Sequence, residues 1–405
     1  MNLKQPKTVK VKPPVLSIPF SERVAAAPCP HFGVCGGCSF QDVPYPAQTE
    51  AKENFFKETL NGLADSVLEP ILASPDLWHY RNKMEFAFGQ EGGRLTLGLH
   101  PRGRVWSVVD VGRCDILSEE TSLLLEAARA WAVKSGLTPF HSLSGTGQLR
   151  HLVIREGKNT GQRMVNLIST SQLESPAGFM EALASTGVRI DTALWSRNDG
   201  VADVAQGDMA LMLRGEGVIT ERLGPLEFRV TPYGFMQTNT HAAEMMVREL
   251  ASWVEASGLL VDVYCGSGLL GLSFARRFDR LTGIEMNPVS VDLARQNAVM
   301  NGIENADFLC GAAEKLLPEI LSGLDLKARV TLFVDPPRSG LHPKVVEALC
   351  AVKPQSLVYV SCNPHSLAND LRILKAFYTI ERMQPMDFYP HTPHIESMTL
   401  LQRMA

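Results

Sequence analysis

The chain has 405 residues, 45% of them hydrophobic and 20% charged, with a net charge of −4 and eight cysteines. That length points to two or three cores, each large enough to fold without disulfides, and the modest charge demands no polyanionic partner. With no apolar run of the roughly 18 residues a membrane span needs and no N-terminal leader pattern, a membrane protein is excluded and a cytoplasmic, reducing location is expected.

Residues 1–28 read as a basic arm. Lys4, Lys7, Lys10, Lys12 and Arg23 against Glu22 give it a net charge of +4 and leave −8 for the rest. Such an arm either touches nucleic-acid phosphates or is a solvated tail. The next stretch, PCPHFGVCGGCSF, places Cys29, Cys35 and Cys38 within ten positions. In a reducing compartment clustered thiols are more often metal ligands than disulfides. Structural zinc sites show paired short spacings and a fourth Cys or His. Here no second pair follows, His31 sits too close to Cys29, and the unpaired remainder is Cys114 in VGRCDIL. Three clustered thiolates and a remote fourth also suit a four-iron cluster, and spacing alone does not choose.

PAQTEAKENFFKETLNGL, residues 46–63, has the composition and spacing of one amphipathic helix. From Trp78 to about Val230, short alternating runs such as KMEFAFG, RVWSVVDVG and LRHLVIREG are broken by Gly, Asn and Asp. They predict a mostly antiparallel β region with one helical insert near LLLEAARAWAVKSG. From about Leu259, the buried-type strands LLVDVY, LTGIEM, ADFLCG, VTLFVDPP and LVYVSC alternate with helical stretches, which predicts a parallel sheet covered on both faces. TIERMQPMDFYP and IESMTLLQRM follow as two successive strands, closing the sheet with an antiparallel pair. The expected domains are 29–230 and 231–405, after the arm at 1–28.

In VDVYCGSGLLG, Gly266, Gly268 and Gly271 fit G-x-G-x-x-G between a strand and a helix, and Glu285 closes the next strand 17 residues after Gly268. The glycines permit a tight turn and close backbone approach, and the carboxylate can accept hydrogen bonds from two ribose hydroxyls. NAD and S-adenosylmethionine both carry a ribose, so the loop alone fits a dehydrogenase or a methyltransferase. FVDPPRSGL then sets Asp335, Pro336 and Pro337 at the carboxyl end of the fourth strand, where ligands bind in such sheets. The prolyl pair makes a stiff floor, and Asp335 offers an acceptor to a planar base. An acid and two prolines at this place resemble the fourth motif of nucleobase methyltransferases. The terminal antiparallel pair likewise resembles the methyltransferase form of the fold.

In VYVSCNPHSLAND, Cys362 stands where a strand ends and a helix begins, with Pro364 in the first turn. The helix dipole is expected to lower its thiol pKa. Cys265, Cys310 and Cys350 read as buried apolar residues. A thiolate at this sheet edge suits one difficult reaction: addition to carbon 6 of uracil makes carbon 5 nucleophilic enough to attack a methylsulfonium. A base must then remove the carbon 5 proton. Glu396 in YPHTPHIESM, after His391 and His394, is the candidate; taken alone it reads equally well as an exposed loop acid.

Together YGFMQTN, VDVYCGSG, VDPPRSG, SCNP and HTPHIES resemble the RNA uracil-5 methyltransferases in order and spacing, a resemblance that runs from Cys29 to the C-terminus. It implies an α/β chain: a class I Rossmann-like S-adenosylmethionine methyltransferase domain plus a mostly-β RNA-binding domain with an iron-sulfur cluster. It makes Cys362 the nucleophile and Glu396 the base. It places Gln237, Tyr264, Glu285 and Asp335 around S-adenosylmethionine and the uracil, with Gly266 and Gly268 in the turn beneath the methionine part. Tyr264 is often Phe in this family, so an aromatic wall is kept.

One branch of the family carries a [4Fe-4S] cluster on C-x5-C-x2-C with a remote fourth cysteine. That implies Cys29, Cys35, Cys38 and Cys114 as ligands, in a structural role. The tRNA-specific bacterial branch typically lacks them, so the resemblance leans toward 23S ribosomal RNA. Larger members begin with a β-barrel of about 60 residues, whereas 28 residues precede Cys29 here; the shorter form resembles the branch that methylates a hairpin uridine of 23S rRNA. The expected partner is RNA, with the target base flipped or in a loop, and the enzyme is expected to be a monomer. Lys83, Arg102, Arg104, Arg150 and Arg155 are candidate phosphate contacts. A tRNA uridine methyltransferase is the alternative. A non-catalytic, redox-sensing RNA binder is the second alternative, and intact Cys362 and Glu396 argue against it.

Overall fold

The computed structural model describes residues 15–323 and 329–404, apart from Val105 and Leu143. The four lysines of the expected basic arm lie outside them. Arg23, its one described cation, pairs with Asp42 at 2.8 Å.

The alternating runs after Trp78 build a seven-stranded sheet. At its centre Lys83–Glu91, Leu149–Glu156 and Arg163–Ser169 are neighbours, all antiparallel. The helix Glu120–Lys134, where an insert was expected, buries Leu124, Leu125, Ala128 and Trp131 against Leu152, Ile154 and Leu167. One pairing departs from the antiparallel expectation: Arg163–Ser169 and Thr192–Arg197 run parallel. A crossover through the helix Phe179–Ala184 permits it, and six residues are too few for helical periodicity to show in the sequence.

The hairpin Ile219–Leu223 and Leu226–Val230 turns at Gly224 and Pro225. Its alternate residues Ile219, Leu223, Phe228 and Val230 join Met246, Leu250 and Phe274 in the core of the second half of the chain. That half is a seven-stranded sheet in which Leu259–Val263 and Val330–Val334 lie side by side in parallel, Val263 opposite Val334. Outward from the first lie Arg280–Glu285 and Ala306–Cys310, both parallel. Outward from the second lies Ser356–Ser361, then Glu396–Arg403 running antiparallel between it and Tyr378–Met386. The central parallel strands are apolar on both faces because helices cover both. The strand order reverses between Leu259–Val263 and Val330–Val334, and the crevice beyond their carboxyl ends is where such sheets bind ligands.

The helix Tyr45–Leu60 packs on this second sheet's helices, with Phe56 and Leu60 among Leu367, Leu371 and Leu374. It also buries two polar side chains. Lys52 Nζ donates to Asp387 Oδ1 at 2.5 Å and to the Tyr389 carbonyl at 3.1 Å, and Gln48 Oε1 accepts from the His391 N–H at 2.9 Å. Burial lowers the Lys52 pKa while Asp387 opposes the shift. Of the cysteines expected to be buried, Cys265 is; Cys350 is half-buried and Cys310 exposed, because Cys310 ends the edge strand of its sheet. Among the described residues no helix is long and apolar enough to cross a membrane.

Candidate active site

Past Val263 the chain enters a left-handed turn, with φ of +66° at Tyr264, +54° at Gly266 and +86° at Gly268. Positive φ is uncommon outside glycine, so Tyr264 is held there by its surroundings. The helix Leu269–Phe274 starts under this turn. A Cβ on Gly271 would stand 2.7 Å from Asp262 Oδ2, the atom that accepts the Gly271 N–H at 2.8 Å. Asp262 is fully enclosed, and burial pushes its pKa up to about 7. Glu285 closes over the turn from the next strand: Oε2 accepts from the Gly266 N–H at 3.1 Å and Oε1 from the Asn287 N–H at 2.7 Å.

A cavity of about 980 Å³ opens here. Tyr264, Gly266, Glu285, Asp335, Cys362, Glu396 and Gln237 all line it, gathered from five strand ends and the segment after the hairpin. Gly268 lies deeper, beneath the turn. The volume is at the upper end for small-molecule pockets, enough for a cofactor and a base together.

Asp335 follows Val334 at the strand end and is half-buried; Gln237 Nε2 donates to its Oδ2 at 3.1 Å. Burial raises the Asp335 pKa to about 7, and the Gln237 bond opposes this. Glu396, at the start of the last strand, is 2% exposed, which excludes the reading of an exposed loop acid. Among the described residues nothing hydrogen-bonds its Oε1. Burial first, and the Asp335 charge second, hold its pKa well above the carboxylate range, while Arg338 pulls it down.

Cys362 sits where expected, at the strand-to-helix junction with Asn363 as the cap. Its expected low pKa is corrected. Burial, then the charges of Glu396 and Asp335, push the thiol up to about 11, outweighing Arg338 and the backbone N–H of Cys362 itself. At rest Cys362 is a thiol.

Arg338 follows the prolyl pair and lines the same cavity. Its carbonyl accepts from Asn363 Nδ2 at 2.7 Å, and its Nη2 lies 3.1 Å from His394 Nδ1. Burial, then the Arg338 charge, lowers the His394 pKa to about 4, so this imidazole is neutral and acts as an acceptor. Phe235, within YGFMQTN, and Tyr389, at the start of YPHTPHIESM, also line the cavity, as does Arg81, which lies in no motif. His391 does not line it; it stacks on Trp78 with 3.9 Å between ring centroids.

Two of the five candidate phosphate contacts are corrected. Arg155 is buried and donates to the Gly234 and Thr231 carbonyls. Arg150 is buried, donates to the Asn198 and Gly200 carbonyls, and lies over the Phe140 ring at 4.5 Å. Both come from a strand enclosed on both faces, where a guanidinium must be satisfied by backbone carbonyls. Lys83 pairs with Glu85 at 2.6 Å and remains partly exposed; Arg102 and Arg104 are exposed.

Cys29, Cys35, Cys38 and Cys114 line one small enclosed cavity, and all are free thiols. Burial raises Cys38 to about 11 and Cys114 to about 12. His31 Nε2 is engaged instead by the Gly112 N–H at 3.1 Å. Among the described residues no group of three His, Cys, Asp or Glu side chains converges tightly enough to hold a metal ion. The four thiols share a cavity, not a finished coordination sphere.

A parallel sheet in this strand order with an antiparallel closing strand, a glycine turn under a second-strand carboxylate and an Asp-Pro-Pro floor define an S-adenosylmethionine-dependent methyltransferase. Residues 219–404 match the family profile described as tRNA (uracil-5-)-methyltransferase. An uncharacterised RNA methyltransferase of Clostridium acetobutylicum is 36% identical over 97% of this chain and 87% of its own. One of Nitratidesulfovibrio vulgaris is 38% identical over 92% and 82%. The crystal structure of the Pyrococcus abyssi tRNA (uracil-54, C5)-methyltransferase, in complex with S-adenosyl-L-homocysteine, has a TM-score of 0.76 and 29% identity over 91% of this chain and 86% of that one. The chain belongs to the RNA uracil-5 methyltransferase family and is an S-adenosylmethionine-dependent RNA methyltransferase.

Proposed function

We propose that the protein methylates carbon 5 of a uridine in 23S rRNA through a covalent adduct between Cys362 and carbon 6 of the base. The observation that carries this reading is that Cys362, Asp335 and Glu396, from three strand ends, line one cavity with the glycine turn and Glu285. In it, Glu285 takes the ribose hydroxyls of S-adenosylmethionine, Gly266 brings backbone against its methionine part with Gly268 completing the turn beneath, and Tyr264 forms an aromatic wall. Gln237 and Asp335, already bonded to each other, present an amide and a carboxyl group to the planar groups.

The uridine must enter flipped from its stack. Cys362 gives up its proton to water as the base arrives, with Arg338 the cation that favours the thiolate. Sulfur bonds to carbon 6, and the carbon 5–carbon 6 π pair moves into the enolate. Carbon 5 attacks the methyl group, and the carbon–sulfur bonding pair leaves with S-adenosylhomocysteine. Glu396, its own proton released to water with Arg338 as the cation that favours the carboxylate, takes the carbon 5 proton, the double bond re-forms, and the expelled thiolate is reprotonated from water. A raised proton affinity suits Glu396 to that last step.

Cys29, Cys35, Cys38 and Cys114 would hold a [4Fe-4S] cluster, for which a four-thiol donor set facing one cavity is the appropriate soft chemistry. When bound, it supplies a covalent brace; no step above needs an electron. Anaerobically purified protein is expected to show a visible absorbance band that Cys35→Ser removes, and zinc on elemental analysis would overturn the assignment.

The mechanism is tested with RNA containing 5-fluorouridine. Fluorine cannot leave as a proton, so the wild type with S-adenosylmethionine traps a denaturation-resistant adduct that Cys362→Ala does not form. Absence of an adduct in the wild type sinks the mechanism. The likeness to the Pyrococcus abyssi enzyme, whose substrate is a tRNA uracil, favours a second reading in which the target is a tRNA uridine. Unmodified 23S rRNA and tRNA, offered separately and digested for nucleoside mass spectrometry, separate the two; 5-methyluridine is expected in the ribosomal RNA.

A further inference from the structure

A second cavity of about 650 Å³ adjoins the catalytic one. Arg81, Tyr233, Phe235 and Thr238 line both, so the two form one groove divided by a shared wall. The far rim is the cysteine segment at Gly36 and Gly37. That segment lies tight on the first sheet: Gly36 N–H donates to the His100 carbonyl at 3.1 Å, and a Cβ on Gly36 would stand 2.6 Å from that oxygen.

The charge lining this second cavity is unbalanced. Arg81, Lys83 and Arg155 face it with Glu85 as the one carboxylate among the lining residues. Glu85 neutralises one cation, Lys83, at 2.6 Å. Arg155 is buried and hydrogen-bonded to carbonyls, and the carboxylate whose charge reaches it is the same Glu85, so one anion serves both cations. Burial, then the charges of Arg155 and Arg81, disfavour the charged form of Lys83, against the pull of Glu85. Partly enclosed cations without a matching carboxylate are costly in isolation. An anion entering the groove relieves that cost.

We infer that this second cavity is the subsite for the nucleotide adjoining the target uridine, with its phosphate held at Lys83 and Arg81. The inference rests on the reading that the uridine occupies the catalytic cavity. A single strand leaving that cavity past the wall shared by the two meets the cations within one nucleotide. The contact fixes backbone position and carries no base preference. It gives Lys83 a role after Arg150 and Arg155 are withdrawn as phosphate contacts.

The test uses fluorescein-labelled decauridylate and protein saturated with S-adenosylhomocysteine, with affinity followed by anisotropy over a series of KCl concentrations. Lys83→Ala is expected to weaken binding about three- to tenfold and to lower the slope of log affinity against log salt by about 0.7, the share of one single-strand phosphate. Lys83→Arg restores both. Glu85→Ala, which unmasks the cation, tightens binding, an opposite shift that a merely structural role would not produce. Unchanged S-adenosylhomocysteine affinity in all three variants establishes that they are folded. Wild-type affinity and salt slope in Lys83→Ala overturn the inference, as does displacement of the RNA by polyglutamate as effectively as by unlabelled oligouridylate. Lys83-dependent binding without a fluorouridine adduct would instead sink the catalytic mechanism alone.

Discussion

The backbone N–H of Ser39 donates to the carbonyl of His391 at 2.7 Å, joining the residue after Cys38 to the loop that leads into Glu396. Phe40 N–H reaches the same carbonyl at 3.0 Å, Tyr80 Oη donates to the Pro390 carbonyl at 3.1 Å, and Trp78 stacks on His391. The thiol segment and the loop before Glu396 are therefore one mechanical unit, though more than three hundred residues separate them. Cys38→Ala is expected to speed amide hydrogen exchange through residues 387–396 and to reduce turnover, while S-adenosylhomocysteine affinity stays within about twofold because the glycine turn belongs to other strands. Unchanged exchange in that loop would show that the thiols do not brace it.

The Lys52–Asp387 pair anchors the same loop from the helix side. Both side chains are fully buried, and Asp387 Oδ1 also accepts the Tyr389 N–H at 3.1 Å. Removing one partner strands a buried charge, so Lys52→Met is expected to cost about 3–5 kcal/mol in urea unfolding. Lys52→Met with Asp387→Leu is expected to recover most of that loss. A single variant within about 1 kcal/mol of wild type would mean that water reaches the pair.

Much of this site was legible because its residues sit at strand ends. Asp335, Glu285 and Cys362 each close a buried apolar run, and a parallel sheet brings all such ends to one edge. The hairpin Ile219–Leu223 and Leu226–Val230 shows the limit of local pattern: its alternation reads as one more strand pair of the first sheet, while its apolar face is buried in the second half's core. Arg155 shows another limit. Its neighbours in LRHLVIREG look half-exposed, and nothing local reveals that the strand is enclosed on both faces. The Cys362 thiol departs from expectation for a related reason: the helix terminus is a local feature, whereas the burial that raises its pKa, and the charges of Glu396 and Asp335 after it, come from distant segments.

Because the resting Cys362 is a thiol held up to about 11, its capture by iodoacetamide is expected to be slow near neutrality. The rate should climb about tenfold per pH unit toward that value, since only the thiolate reacts. Mass spectrometry of the peptide carrying Cys362 separates it from the other seven cysteines. Arg338→Met removes the cation that opposes the upward shift, so its profile should move to still higher pH. A rate that is already flat above about pH 7 would mean that the helix terminus prevails after all.

Glu396→Gln separates the proposed base from the proposed nucleophile. Glutamine keeps the shape of the buried side chain but cannot take the carbon 5 proton, so bond formation at carbon 6 and methyl transfer proceed and release stops. With uridine-containing RNA and S-adenosylmethionine, the variant is expected to accumulate a methylated, denaturation-resistant adduct that the wild type shows only with 5-fluorouridine. The same substitution carries a stability signature. Burial and Asp335 hold the folded-state pKa of Glu396 well above its ordinary value. From the ordinary carboxylate range up to that raised value, the folded state keeps a proton that the unfolded chain releases, so this group's contribution to wild-type stability falls as pH rises. Glutamine has no such proton. The Tm of Glu396→Gln relative to wild type should therefore be higher at about pH 8 than at about pH 5. A difference that stays constant across that range would place the ionisation of Glu396 at an ordinary carboxylate value, and a variant that forms no adduct would remove Glu396 from the release step.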